Sequence, residues 1–75
     1  MLQLSLAGNH KAEVGHDVLT KRGAFAGVIV QNLETGKSRV YFNSSCTKGS
    51  KRVFNSAFHA LEYIYQRRLS KGWSV

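Results

Sequence analysis

The stretch AFAGVIVQNLETGKSRVYFN, residues 24–43, decides the fold. Ala24 to Gln31 is a run of small, β-branched and aromatic side chains, the composition of a strand buried on both faces or nearly so. Ser38 to Asn43 alternates instead. Val40 and Phe42 point inward while Arg39, Tyr41 and Asn43 point outward, the period-two signature of a half-buried strand. Between the two runs, NLETGK fits a hairpin loop, with Gly36 available for a left-handed position.

Toward the N-terminus, Leu2, Leu4 and Leu6 alternate with Gln3 and Ser5, which predicts another strand. Gly8-Asn9 supplies a turn. A loop of Gly8, Asn9 and His10 would set Leu6 opposite Ala12 and Leu4 opposite Val14. Lys11 to Thr20 supports two readings. As a strand it places Ala12, Val14, His16 and Val18 on one side and Glu13 and Asp17 on the other. As a helix it has Asn9 as cap, Lys21 and Arg22 late, and Gly23 as stop. Gly15 and three β-branched residues weigh against the helix.

Toward the C-terminus, residues 43–52 (NSSCTKGSKR) have no apolar anchor and read as a polar loop. Asn55 or Ser56 then caps a helix on which Ala57, Phe58, Leu61, Ile64, Tyr65 and Leu69 form an apolar stripe. Arg67, Arg68 and Lys71 suit the negative end of its dipole, and Gly72 ends it. The expectation is an α+β fold: one domain over residues 1–75, a small antiparallel meander of three or four strands, and one C-terminal α-helix packed across a face.

Charge divides the chain. Residues 1–36 balance Lys11, Lys21 and Arg22 against Glu13, Asp17 and Glu34, whereas residues 37–75 carry eight cations against Glu62 alone, leaving +7. Such a one-sided field suits phosphate backbones or other acidic surfaces. The 75 residues, 43% of them hydrophobic, make a foldable but marginal core, so self-association, including a homodimer through a fourth strand, stays open. One cysteine, Cys46, excludes an internal disulfide and fits a reducing, cytoplasmic setting. The longest apolar run, Ala24 to Val30, falls far short of the ~20 residues that span a bilayer, and the opening residues do not read as a signal peptide.

Three groups of residues are candidates for binding. In the first, Lys48, Lys51 and Arg52, with Thr47, Ser50 and Gly49, sit just before the helix start, where free N–H groups would add to a phosphate site. The Walker A order is missing. In the second, Arg39 and Tyr41 with Lys37 offer a phosphate contact and a stacking surface on a strand, provided they adjoin the 48–52 segment. The third is the outer helix line His59, Tyr63 and Arg67, which with Trp73 suits a partner groove, while Arg67, Arg68 and Lys71 also extend the nucleic-acid-binding Lys/Arg surface of the first two groups. The plainer readings are solvated charge, a half-packed Tyr63, and a Trp73–Val75 tail folded back on the core.

Catalysis has little to stand on. His10, His16 and His59 do not converge with Cys46 at metal-ligand spacing, so no metal or cofactor is expected, and four acids offer few ways to hold Mg²⁺. The cationic neighbourhood of Cys46 would lower its pKa, but no base accompanies it.

Two short segments resemble known families. KGSKRVFNSAFHALEYI, residues 48–64, resembles the end of a double-stranded RNA-binding domain, which implies phosphate contacts by Lys48, Lys51 and Arg52. Phe58, His59 and Tyr63 replace the small helix residues of that pattern. GVIVQNLETGKSRVYFNSS, residues 27–45, is similar to the opening hairpin of GIY-YIG nucleases, with GVI and VYF where that family carries its tyrosines, so its catalysis does not transfer. The expected function is a small basic nucleic-acid-binding protein, not an enzyme and with little sequence preference. The alternative is an interaction or inhibitor protein docking on an acidic protein surface or a nucleoprotein complex.

Overall fold

A computed structural model describes residues 2–75 as five strands and one helix: β1 (Gln3–His10), β2 (Glu13–Leu19), β3 (Phe25–Asn32), β4 (Ser38–Tyr41), β5 (Gly49–Phe54) and α1 (Ala57–Ser70). The strands form one antiparallel sheet in the order β1-β2-β3-β4-β5, so spatial order repeats chain order. The α+β meander with a C-terminal helix is as expected. The strand count is five.

β3 is the central strand that its composition predicts. Ile29 is 0% exposed and its neighbour Val28, on the opposite face by strand alternation, is 4% exposed. The helix lies across β3, β4 and β5, and the core joins Leu2, Val18, Ala26, Ile29, Val40 and Phe54 to Ala60 and Ile64. Gly27 permits that contact, because a Cβ there would stand 3.5 Å from Ile64 Cδ1 and 3.0 Å from the Tyr41 carbonyl oxygen.

Local chemistry fixes the connections. In the β3–β4 turn the Asn32 side-chain oxygen accepts from Glu34 N at 2.8 Å and Thr35 N at 3.1 Å, while Gly36 takes φ 76°. Ser56, not Asn55, caps the helix: its Oγ accepts from His59 N at 3.1 Å. Ser38 Oγ donates to the Ser56 carbonyl at 2.8 Å, tying β4 to the helix start. At the other end Trp73 N donates to Arg68 O and Gly72 N to Leu69 O, with Gly72 at φ 70°, a Schellman closure.

Several expectations need correction. The segment read as a polar loop is β5 from Gly49 onward, paired with β4 through Arg39↔Val53 and Ser38↔Phe54. Its side chains are mostly exposed and only Phe54 is buried, so it is a strand by virtue of its partner and not of its own pattern. Residues 13–19 are strand, which settles the ambiguity of Lys11 to Thr20. β1 continues through Gly8-Asn9 to His10, and the chain turns at Lys11-Ala12 with Lys11 at φ 54°. Leu4 therefore faces Val18 and Leu6 faces His16, not Val14 and Ala12. This register sets Leu4 beside the fully buried Val18. A homodimer through the fourth strand has no edge to use, since β4 lies between β3 and β5. Among the described residues no helix is long and apolar enough to cross a membrane.

A candidate nucleic-acid interface on one side of the sheet

Because the sheet preserves chain order, the charge step along the sequence becomes a step across the molecule. β1, β2 and β3 belong to the neutral half, whereas β4, β5, α1 and the segments that join and follow them, residues 37–75, carry the surplus of +7. Lys37, Arg39, Lys48, Lys51, Arg52 and Lys71 are exposed, while Arg67 and Arg68 are half-buried.

On the face away from the helix, two rows cross all five strands in register. One runs Gly8, Gly15, Val30, Arg39, Val53, and the other Ser5, Asp17, Val28, Tyr41, Gly49. Arg39 thus adjoins β5 directly, and Lys37, Arg39 and Val53 line one shallow cavity with Glu13 at its rim. The β5 residue beside Lys37 and Arg39 is Val53, just past the 48–52 segment that the strand-surface reading named. Tyr41 is half-buried with its ring against Gly49, where a Cβ would come 2.7 Å from Tyr41 Cδ1.

Lys48, Lys51 and Arg52 do not wrap the helix N-terminus. Lys51 and Arg52 lie on β5 and Lys48 just before its first residue, so that at about 3.3 Å per residue Lys48 and Arg52 are separated by up to roughly 13 Å. The site expected at the helix start, with all three cations beside its free N–H groups, is therefore not formed. Ser50 Oγ accepts from Arg52 N at 3.1 Å, a local strand contact. Only Arg52 approaches the helix start, over the Phe54 ring at 5.2 Å, in a cleft shared with Asn55, His59 and Tyr63.

At the opposite end of β5 a second cluster forms, which sequence reading did not join. Arg67 lies 4.1 Å over the Phe42 ring and 5.5 Å over Trp73, with Arg68 at 5.5 Å and Lys71 at 5.2 Å from the same indole. Phe42 N donates to Lys48 O at 2.7 Å, which brings Lys48 to this cluster. Asn43 fixes the connecting loop: its Oδ1 accepts from Thr47 N and Lys48 N, and its Nδ2 donates to Ser45 Oγ and Thr47 Oγ1. The only advance signal was the Asn in a Ser/Thr-rich loop. Nothing local links Phe42 to Arg67.

The helix line His59, Tyr63, Arg67 is not the outer face expected of it. Tyr63 packs on Phe54 at 5.0 Å between ring centroids and Arg67 on Phe42, so this side of the helix looks down on β4 and β5. His59 is exposed, its Nδ1 3.1 Å from Ser56 Oγ. The tail folds back, with Val75 O accepting from Lys21 N at 3.2 Å and Arg68 Nε donating to Ser74 O at 2.7 Å. Trp73 remains partly exposed on top of its cations.

Cys46 departs from expectation. Burial, and secondarily the Asp17 carboxylate, push its thiol pKa up instead of down. Among the described residues no group of three or more His, Cys, Asp or Glu could hold a metal ion. Comparison of the chain with protein-family models, curated proteins and solved structures gives no match.

Proposed function

We propose that this protein binds nucleic acid through the side of the molecule formed by β4, β5 and the C-terminal end of α1, as a non-enzymatic module with little sequence preference. The observation that carries the reading is the meander order, which gathers eight of the eleven Lys and Arg residues in the half of the molecule at the β4–β5 edge of the sheet. Lys37, Arg39, Lys48, Lys51, Arg52 and Lys71 supply mobile phosphate contacts, and Arg67 and Arg68 are held by aromatic stacking. Tyr41 and Trp73 offer ring surface to unstacked bases.

Fluorescence anisotropy with labelled single-stranded DNA, duplex DNA and duplex RNA, across about 50 to 300 mM salt, tests the reading. With about five phosphates engaged on duplex DNA, the logarithm of affinity falls against log salt with a slope near −4.5. Reversing Lys48, Lys51 and Arg52 together to Glu abolishes binding while far-UV circular dichroism stays unchanged. Absence of binding at the lowest salt overturns the reading and reassigns the field to an acidic protein partner.

A further inference from the structure

We infer that β1 is the self-association edge of this protein, pairing antiparallel with β1 of a second copy to join the two sheets across a two-fold axis. The two edges of the sheet are treated unequally. β5 ends the sheet with the exposed cations Lys51 and Arg52, the kind of edge that repels another strand. β1 is eight residues long, QLSLAGNH, exposed throughout, with no Lys, Arg or Pro, and among the described residues no strand lies beyond it. Its one irregularity is the register shift between Leu6 and Gly8, so the regular stretch is Gln3–Leu6.

Side chains point the same way as the backbone. The helix covers β3, β4 and β5 but leaves the same face of β1 bare, so Leu4 is 43% and Leu6 68% exposed. Leu2, further along that line, shares a cleft with Phe58, Leu61 and Tyr65, and Phe58 is itself 72% exposed. A two-fold axis at Ser5 sets Leu4 opposite Leu6 of the second copy and Leu6 opposite its Leu4, on the helix side of both sheets. The apolar strip of each copy then covers the other's.

Charge selects a second copy as the occupant. The pairing edge belongs to the half whose charges cancel, so identical chains meet there without repulsion. The two basic edges end up nine strand spacings apart, about 43 Å at roughly 4.8 Å each, several times the ~8 Å screening length at physiological salt. An acidic partner has no cation on β1 to recognise.

Sedimentation velocity of the full chain from about 1 to 300 µM is the test, with hydrogen exchange followed at both ends of the series. The expected result is a one-chain to two-chain transition, with amides of residues 3–10 protected only where the two-chain species dominates. Leu6→Lys weakens the association at least tenfold with unchanged circular dichroism, and Phe58→Ser weakens it separately. A one-chain mass throughout overturns the inference. So does a two-chain species whose residues 3–10 exchange freely, or one that Leu6→Lys leaves intact. The dilution series of the unaltered chain decides the matter even where a variant fails to fold. None of these readouts involves nucleic acid, so the inference and the proposed function stand or fall separately.

Discussion

A methyl group added at Gly49 would stand 2.5 Å from the Val40 carbonyl oxygen and 2.7 Å from Tyr41 Cδ1. The oxygen is backbone and cannot give way, so Gly49→Ala must shift β5 against β4. We expect a loss of about 2 kcal/mol, read as a fall of roughly 10 °C in Tm. Gly15→Ala is the control, because its Cβ would meet only the Gly8 carbonyl at 3.7 Å, an ordinary contact. The sequence places Gly49 in a polar loop, whereas the structure uses it for close approach, a role that depends on a neighbouring strand. Cys46 teaches the same lesson. Its sequence neighbours argue for a lowered pKa, but burial and an Asp17 carboxylate contributed by β2 raise it. Less thiolate is then present near neutrality, so alkylation by iodoacetamide at pH 8 runs slower than for an unstructured cysteine. Asp17→Asn removes the second cause and quickens it, while an unchanged rate would mean that burial acts alone.

Elements that carry their own periodicity were legible, and those that borrow order from a partner were not. The β3–β4 hairpin and α1 follow from Ala24–Asn43 and from the apolar spacing of residues 57–69, and both elements form there. The buried helix positions, however, are Ala60 and Ile64, while Phe58 and Leu69 of the expected stripe are exposed. β5 has no such pattern: Lys51, Arg52 and Val53 are all exposed, and the strand exists because β4 offers an edge. The β1–β2 turn moved for a related reason, since Gly8-Asn9 can turn but the longer pairing brings Leu4 to Val18. At the helix start the two roles of Ser56 are separable. Its Oγ caps His59 N while its carbonyl receives Ser38 Oγ. Ser56→Ala removes the first and keeps the second, so thermal denaturation should show a loss of about 1 kcal/mol, near 5 °C. Ser38→Ala removes the tie instead and leaves the Ser56 carbonyl with one partner fewer beside a buried position, at a cost of about 1–3 kcal/mol. If Ser56→Ala cost as much as Ser38→Ala or more, the tie between sheet and helix would be the weaker of the two bonds.

Across the whole molecule, the candidate interface was legible as a charge imbalance but not as a shape. Counting side chains places eight of the eleven cations in residues 37–75; only the meander order turns that count into one half of the molecule, and only the fold brings Phe42 to Arg67. The C-terminal tail links the two halves. Arg68 Nε reaches Ser74 O, Val75 O receives Lys21 N from the β2–β3 turn, and Val75 packs at the core margin. Truncation after Lys71 removes these contacts, the Schellman closure and the indole on which Arg67, Arg68 and Lys71 rest. The cations all remain, so the net charge contributed by side chains is unchanged. Stability should fall by about 2 kcal/mol, with a Tm loss of roughly 10 °C. Nucleic-acid affinity should fall far less than for the triple reversal of Lys48, Lys51 and Arg52, and its salt slope should hold, because the slope counts phosphates neutralised and not the rigidity of the groups that neutralise them. A truncated chain that melts at the original temperature would detach the tail from the fold. One that kept its stability but lost affinity and slope together would place Trp73 among the contacts that set the number of phosphates engaged.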